Sequence, residues 1–134
     1  MNKTLLVLGI AILGVGGGCS DNANKRGVGA ECTKDTDCTE KGQVCLTAFK
    51  GGYCGFSGCM HDTDCLTGSA CVTDNGTNYC FLVCTDKVQC NDHRTAANES
   101  DCVSSLPFVD ATAGRKVCRP PLSGTGTPSD AGGN

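Results

Sequence analysis

Tryptophan is absent and aromatic residues make up only 4% of the 134-residue chain. The apolar residues that would fill a core (Val44, Leu46, Phe49, Tyr53, Leu66, Val72, Tyr79, Phe81, Leu82, Val83, Val103, Leu106 and Phe108) are scattered singly, with no amphipathic helical run. No conventional hydrophobic core is expected from such a pattern. Neither Cys-x2-Cys nor Gly-x-Ser-x-Gly occurs, which removes the thioredoxin-like redox pair, the usual zinc-knuckle spacing and the hydrolase nucleophile elbow. Basic residues are dispersed, with only Lys25-Arg26 and Arg115-Lys116 adjacent, so there is no footprint for nucleic acid. A run of about 20 apolar residues, as a membrane-spanning helix needs, is missing as well.

Cysteine is what the chain has in quantity, at 13 of 134 residues. That is the density of a disulfide scaffold in an oxidising compartment. A chain this poor in apolar surface cannot offset about 1–2 kcal/mol of backbone entropy per ordered residue by burial alone. Six disulfides at about 2–4 kcal/mol each supply the difference, and the folded part is expected to unfold on reduction.

Residues 1–18 read as a signal peptide: Lys3 supplies a positive charge, and Leu5 to Val15 is an apolar run of eleven, the length of a signal-peptide core. Their removal leaves ten basic residues against 14 acidic ones, a mildly acidic mature chain. Gly16-Gly17-Gly18-Cys19-Ser20-Asp21 follows. It resembles the lipobox of bacterial lipoproteins, whose cysteine is lipidated; the departure is Gly16, where that family usually carries Leu. Cysteine parity agrees, because 13 is odd and setting Cys19 aside leaves 12 that can all pair. The resemblance implies an exported lipoprotein held at a membrane through Cys19, and Ser20 in place of Asp at the next position implies the outer membrane or cell surface. Diacylglyceryl and amide-linked chains together hold stably where one chain alone is marginal. Residues 19–31 are polar and non-periodic and read as a flexible tether.

Three four-cysteine units follow. Residues 32–58 hold Cys32-x5-Cys38-x6-Cys45-x8-Cys54, and residues 59–83 hold Cys59-x5-Cys65-x5-Cys71-x8-Cys80. Residues 84–118 hold Cys84-x5-Cys90-x11-Cys102-x15-Cys118, which keeps the first spacing and expands the others. The fold class is therefore small and disulfide-rich: tandem units, each with a turn and a short β-hairpin, little regular secondary structure, and a disordered tether and tail. Gly51-Gly52 and Asn75-Gly76 mark the first two hairpin turns; Asn-Gly is the strongest short hairpin signal, since both central positions of a type I′ turn need positive φ. In unit three the turn region is placed at Asp110 to Gly114, with Arg115-Lys116-Val117 returning. Pairing of first with third and second with fourth cysteine ties each leading turn to both hairpin strands; sequential pairing, or bonds between units across residues 55–58 and 81–83, stays open. Residues 119–134, rich in Pro, Gly, Ser and Thr with one large apolar residue, read as a disordered tail.

The leading stretch Cys-x2-Asp-x-Asp-Cys occurs at Cys32 to Cys38 and at Cys59 to Cys65, whereas Cys84 to Cys90 has no acid at either of those two positions. Asp35 with Asp37 and Asp62 with Asp64 offer carboxylates to a calcium ion, but no twelve-residue calcium loop exists. Capping of a short turn by those side chains is the favoured reading. His61 and His93 follow Cys59 and Cys90 closely and superficially suggest zinc, yet cysteines in an oxidising compartment prefer each other, and no metal or cofactor is expected. Asn75-Gly-Thr and Asn98-Glu-Ser are glycosylation sequons by pattern alone.

The sequence Cys-x2-Asp-x-Asp-Cys, a polar stretch, Cys, then Tyr-Cys resembles Dickkopf N-terminal-like cysteine-rich repeats, and more closely the arrays of that kind on bacterial lipoproteins. The resemblance covers Cys32 to about Cys90 and implies scaffold and compartment only. The functional expectation is a membrane-anchored binding or structural module, a rigid rod of units presenting hairpin tips to a protein or glycan. Its variable hairpins, above all residues 103–117, are the expected point of contact. The alternative is a protease inhibitor presenting Phe49-Lys50-Gly51 or Cys65-Leu66-Thr67. No enzyme activity is expected.

Overall fold

A computed structural model describes residues 27–124. The signal segment 1–18, Cys19, the tether as far as residue 26 and the tail from residue 125 lie outside the described residues.

Among the described residues the regular structure is six short strands and four 3₁₀ turns. Strands β1 (Val44–Cys45) and β2 (Cys54–Gly55) form one antiparallel pair, while β3 (Ser69–Asp74), β4 (Thr77–Cys84), β5 (Asp101–Val103) and β6 (Lys116–Arg119) form a sheet of order β3-β4-β6-β5. All three expected hairpins are present. Asn75 and Gly76 turn β3 into β4 with φ of 48° and 79°, the positive values that a type I′ turn requires. Gly51 and Gly52, at φ 73° and 69°, close the first hairpin. The third is wide, with β5 and β6 paired across the loop at 104–115.

The disulfides follow one plan three times. Cys32–Cys45 and Cys38–Cys54, Cys59–Cys71 and Cys65–Cys80, and Cys84–Cys102 and Cys90–Cys118 join first to third and second to fourth cysteine. In every unit the third and fourth cysteines are opposite each other in the hairpin: Cys45 with Cys54, Cys71 with Cys80, Cys102 with Cys118. Because neither is bonded to the other, each hairpin strand is stapled separately to the leading turn.

The units do not follow one another as a rod. The segment ahead of each unit pairs with the strand that carries that unit's fourth cysteine. Gly29 N–H donates to Cys54 O (2.9 Å) and Cys54 N–H to Ala30 O (3.0 Å). Cys80 N–H donates to Phe56 O (3.0 Å) and Gly58 N–H to Asn78 O (2.8 Å). Val83 and Cys84 pair with Val117 and Lys116. The last strand of one unit is therefore the lead strand of the next. The chain leaving β6 then returns to unit one: Phe49 bridges Leu122, Lys50 N–H donates to Pro121 O and Ser123 N–H to Ala48 O, both at 2.8 Å. The array closes on itself.

This closure corrects two expectations. A core does exist: Phe49 and Tyr53 from unit one meet Phe81 from unit two, all buried, with ring centroids 5.2–6.0 Å apart. Val28, Val72 and Val117 complete it. Edge-on aromatic packing adds about 0.5–1.5 kcal/mol per pair to the area buried. The limits of the folded body also move outward at both ends. Val28 is 1% exposed, and Pro120 and Leu122 pack against the body, so residues 27–31 and 119–124 belong to the fold.

Candidate functional site

The leading turns show what the repeated carboxylates do. In unit one Asp37 Oδ2 accepts the N–H groups of Thr33 (2.9 Å) and Lys34 (3.2 Å). Asp64 Oδ2 does the same for Met60 (2.8 Å) and His61 (3.0 Å). These N–H bonds hold both carboxyls below their ordinary pKa range. The first acid of each turn reaches across to the hairpin, where Asp35 Oδ1 accepts Cys45 N–H and Asp62 Oδ1 accepts Cys71 N–H, each at 2.8 Å. In unit three Gln89 Oε1 takes the place of the second acid and accepts Thr85 N–H at 2.7 Å. Lys87 replaces the first acid and pairs instead with Glu99 and Asp101. The turn needs an acceptor at the position before its second cysteine, and an amide serves as well as a carboxylate.

Unit three's long loop lies along the free edge of β3. Thr73 N–H donates to Pro107 O and Val109 N–H to Cys71 O, both at 2.9 Å, and Phe108 bridges Val72. Beyond Val109 the loop is fastened to the leading turn of unit two. Asp110 Oδ2 accepts Asp62 N–H at 2.7 Å and Oδ1 faces His61 Nδ1 at 3.1 Å. Arg115 donates to Asp62 Oδ2 and to Thr112 Oγ1, and its guanidinium lies 5.1 Å from the centre of the Phe108 ring. The Asp62 N–H and then His61 draw the Asp110 carboxyl below its ordinary pKa, while the hydrogen bond and charge of Asp110 push the His61 imidazole up. Around this network Met60 is 70% exposed and Val109 36%. The result is a held, solvent-facing patch with one imidazole, two carboxylates, a guanidinium and two apolar side chains.

The other candidate residues are distributed as follows. His93 lies apart from His61, with its carbonyl accepting Glu31 N–H at 3.2 Å. Cys59 and Cys90, the cysteines that precede the two histidines, are bonded to Cys71 and Cys118. Three sulfurs in each unit lie within 4.8 Å of one another, but as disulfides they offer no thiolate to a metal. Phe49 is 1% exposed and the Lys50 carbonyl is held by Arg94 at 2.7 Å, so Phe49-Lys50-Gly51 is part of the closure rather than a projecting loop. Leu66 packs against the core, with Thr67 exposed beside it.

Sequence reasoning missed Arg94. Its guanidinium donates to Asn98 O (2.6 Å), Gly29 O (3.0 Å), Gly52 O (2.9 Å) and Lys50 O (2.7 Å), clamping unit three to unit one. No local pattern marks an arginine three of whose four acceptors lie 42–65 positions away. Compared with known proteins, the chain matches no protein-family model, no curated protein and no solved structure at a significant level.

Proposed function

We propose that this chain is an exported, lipid-anchored binding module that meets a protein or glycan outside the membrane through the patch joining residues 60–64 to residues 109–115. One observation carries the reading: the loop that departs most from the threefold plan is fixed to its neighbour by Asp110, at 2.7 Å from Asp62 N–H, instead of being left free. A surface ordered before contact loses less conformational entropy on binding, so ordering an exposed loop favours recognition. Membrane attachment through Cys19, and descent from the Dickkopf N-terminal-like repeats of bacterial lipoproteins, are parts of the same proposal. The first rests on the lipobox-like segment and cysteine parity; the second rests on the leading turns.

Two measurements test it. Intact mass spectrometry of the membrane-extracted protein is expected to find Cys19 acylated and no free thiol; an unmodified Cys19 refutes the anchor. A photo-crosslinking residue at Ala111, compared with one at Lys41 on unit one, is expected to give a discrete adduct from position 111 alone in intact cells. Equal labelling from both positions, or none from either, refutes the binding surface.

A further inference from the structure

The units share one disulfide plan, but their third cysteines differ in access. Cys45 lies in β1, the outer strand of its pair, and Cys102 in β5, the edge strand of the larger sheet, and both are half-buried. Cys71 is 0% exposed, because residues 107–109 cover β3 and Val109 N–H bonds to its carbonyl at 2.9 Å. The second cysteine is half-buried in units one and two, Cys38 and Cys65, and buried in unit three, Cys90. Two further features, shared by unit two, permit exchange once a sulfur has been reached. The sulfurs of Cys32, Cys38 and Cys54 lie within 4.8 Å of one another, as do those of Cys84, Cys90 and Cys102. The third and fourth cysteines also face each other across the hairpin. Both the N–H and the C=O of Cys54 bond outward, to Ala30 and Gly29, so Cys45 and Cys54 are a non-hydrogen-bonded pair. At such a pair the Cα atoms approach to about 4.5 Å, within the span a disulfide bridges.

We propose that Cys45 and Cys102 are thiol-exchange sites at which an external thiolate isomerises the disulfides of units one and three. In unit three the thiolate attacks Cys102 Sγ, forming a mixed disulfide and breaking Cys84–Cys102, with the electron pair leaving on Cys84. The Cys84 thiolate attacks Cys90 Sγ, forming Cys84–Cys90 and releasing Cys118. The Cys118 thiolate attacks Cys102 in the mixed disulfide, forming the cross-strand Cys102–Cys118 bond and returning the external thiolate. Two disulfides stand before and after, so nothing is oxidised or reduced overall and the thiol acts as a catalyst. Unit one follows the same order through Cys45, Cys32, Cys38 and Cys54. Access decides which sulfur is attacked, and the loop of unit three closes this route at Cys71.

The test treats the oxidised full chain with reduced glutathione under native conditions, quenches with acid, alkylates and maps the peptides. Glutathione is expected on Cys45 and Cys102, followed by loss of the native Cys84–Cys102 and Cys32–Cys45 peptides and gain of Cys102–Cys118 and Cys45–Cys54. Asp110→Ala, which releases the covering loop, is expected to add glutathione at Cys71. Adducts at Cys71 in the unaltered chain as early as at Cys102 overturn the proposal. So do adducts at Cys45 and Cys102 that never yield a cross-strand bond, and so does a folded chain that takes up no glutathione while the urea-unfolded chain does.

Discussion

Arg94→Ala tests whether the array is held shut by one side chain. The guanidinium supplies donors to four carbonyls, two of them on the buried residues Gly29 and Gly52, at 3.0 and 2.9 Å. Burial lowers its pKa from the ordinary value and the nearby Glu31 carboxylate opposes that; an arginine starts so far above neutral that it keeps its charge. A buried carbonyl stripped of its donor costs about 1–3 kcal/mol, so the two buried acceptors together imply a loss of about 2–6 kcal/mol. The carbonyls of Lys50 and Asn98 lie on exposed and half-buried residues, where water replaces the lost donor, and they add little. Arg94→Lys keeps the charge but places a single nitrogen where three spread the contacts, so it is expected to recover less than half of the loss. The assay is urea unfolding of the oxidised protein, followed by tyrosine fluorescence and by hydrogen exchange at the amide of Lys50, which bonds to Pro121 O. A loss under about 1 kcal/mol for Arg94→Ala, the size of an ordinary surface substitution, with the Lys50 amide still protected, refutes the clamp.

Gly52→Ala is expected to cost about 3 kcal/mol or more, since φ is +69° and a Cβ there lies 2.1 Å from Cys32 O and under 3 Å from the sulfurs of Cys32 and Cys45; an unchanged urea midpoint contradicts that packing. The His61–Asp110 pair makes loop attachment depend on pH in two directions. Asp110, with its pKa lowered in the fold, contributes above its unfolded pKa and loses that contribution as pH falls through the folded value. His61, with its pKa raised, contributes fully below the unfolded value of about 6.5 and loses that contribution as pH rises through the folded one. Protection of the loop amides is therefore expected to peak in mildly acidic solution and to weaken above neutrality. An NMR titration checks the cause, because Asp110→Asn should bring His61 back towards its ordinary pKa, and an unmoved titration removes Asp110 as that cause.

The four-cysteine units and their hairpins were legible in the sequence, whereas spacing left the pairing open between interleaved, sequential and inter-unit bonds. An eight-residue separation around Gly51-Gly52 or Asn75-Gly76 puts the flanking cysteines opposite each other, and the leading turn lies within reach of both. The core was not legible, for reasons that particular residues make plain. Phe49 stands beside Lys50 and two glycines, the composition of an exposed tip, yet it is 1% exposed because the chain after β6 lies across it. Val28 and Leu122 are single apolar residues in polar stretches, and a periodicity argument has nothing to work on with one residue. Each becomes meaningful only when closure brings the two ends of the body together. The patch at Asp110 fails the same way: its contacts run back 48 and 49 positions to Asp62 and His61, and the sequence offered only the unusual length of the loop.

For the proposed binding role, closure narrows where contact is to be sought. In an open array each hairpin would offer a tip of equal standing. In the closed one the tip of unit one is occupied, with residues 47–50 bonded to the chain at 121–123. The tip of unit two is exposed at Asn75 and Gly76 but short, and its base is fixed by the buried Asp74, whose two oxygens take Arg119 at 2.8 and 2.9 Å. Unit three's loop covers β3 with its first part and turns Ala111 to Gly114 outward with its second. It therefore carries two roles with opposite demands, shielding Cys71 from thiols and presenting a surface to solvent. Asp110 stands at the boundary between them, which is why a single substitution there should expose the sulfur and loosen the patch together.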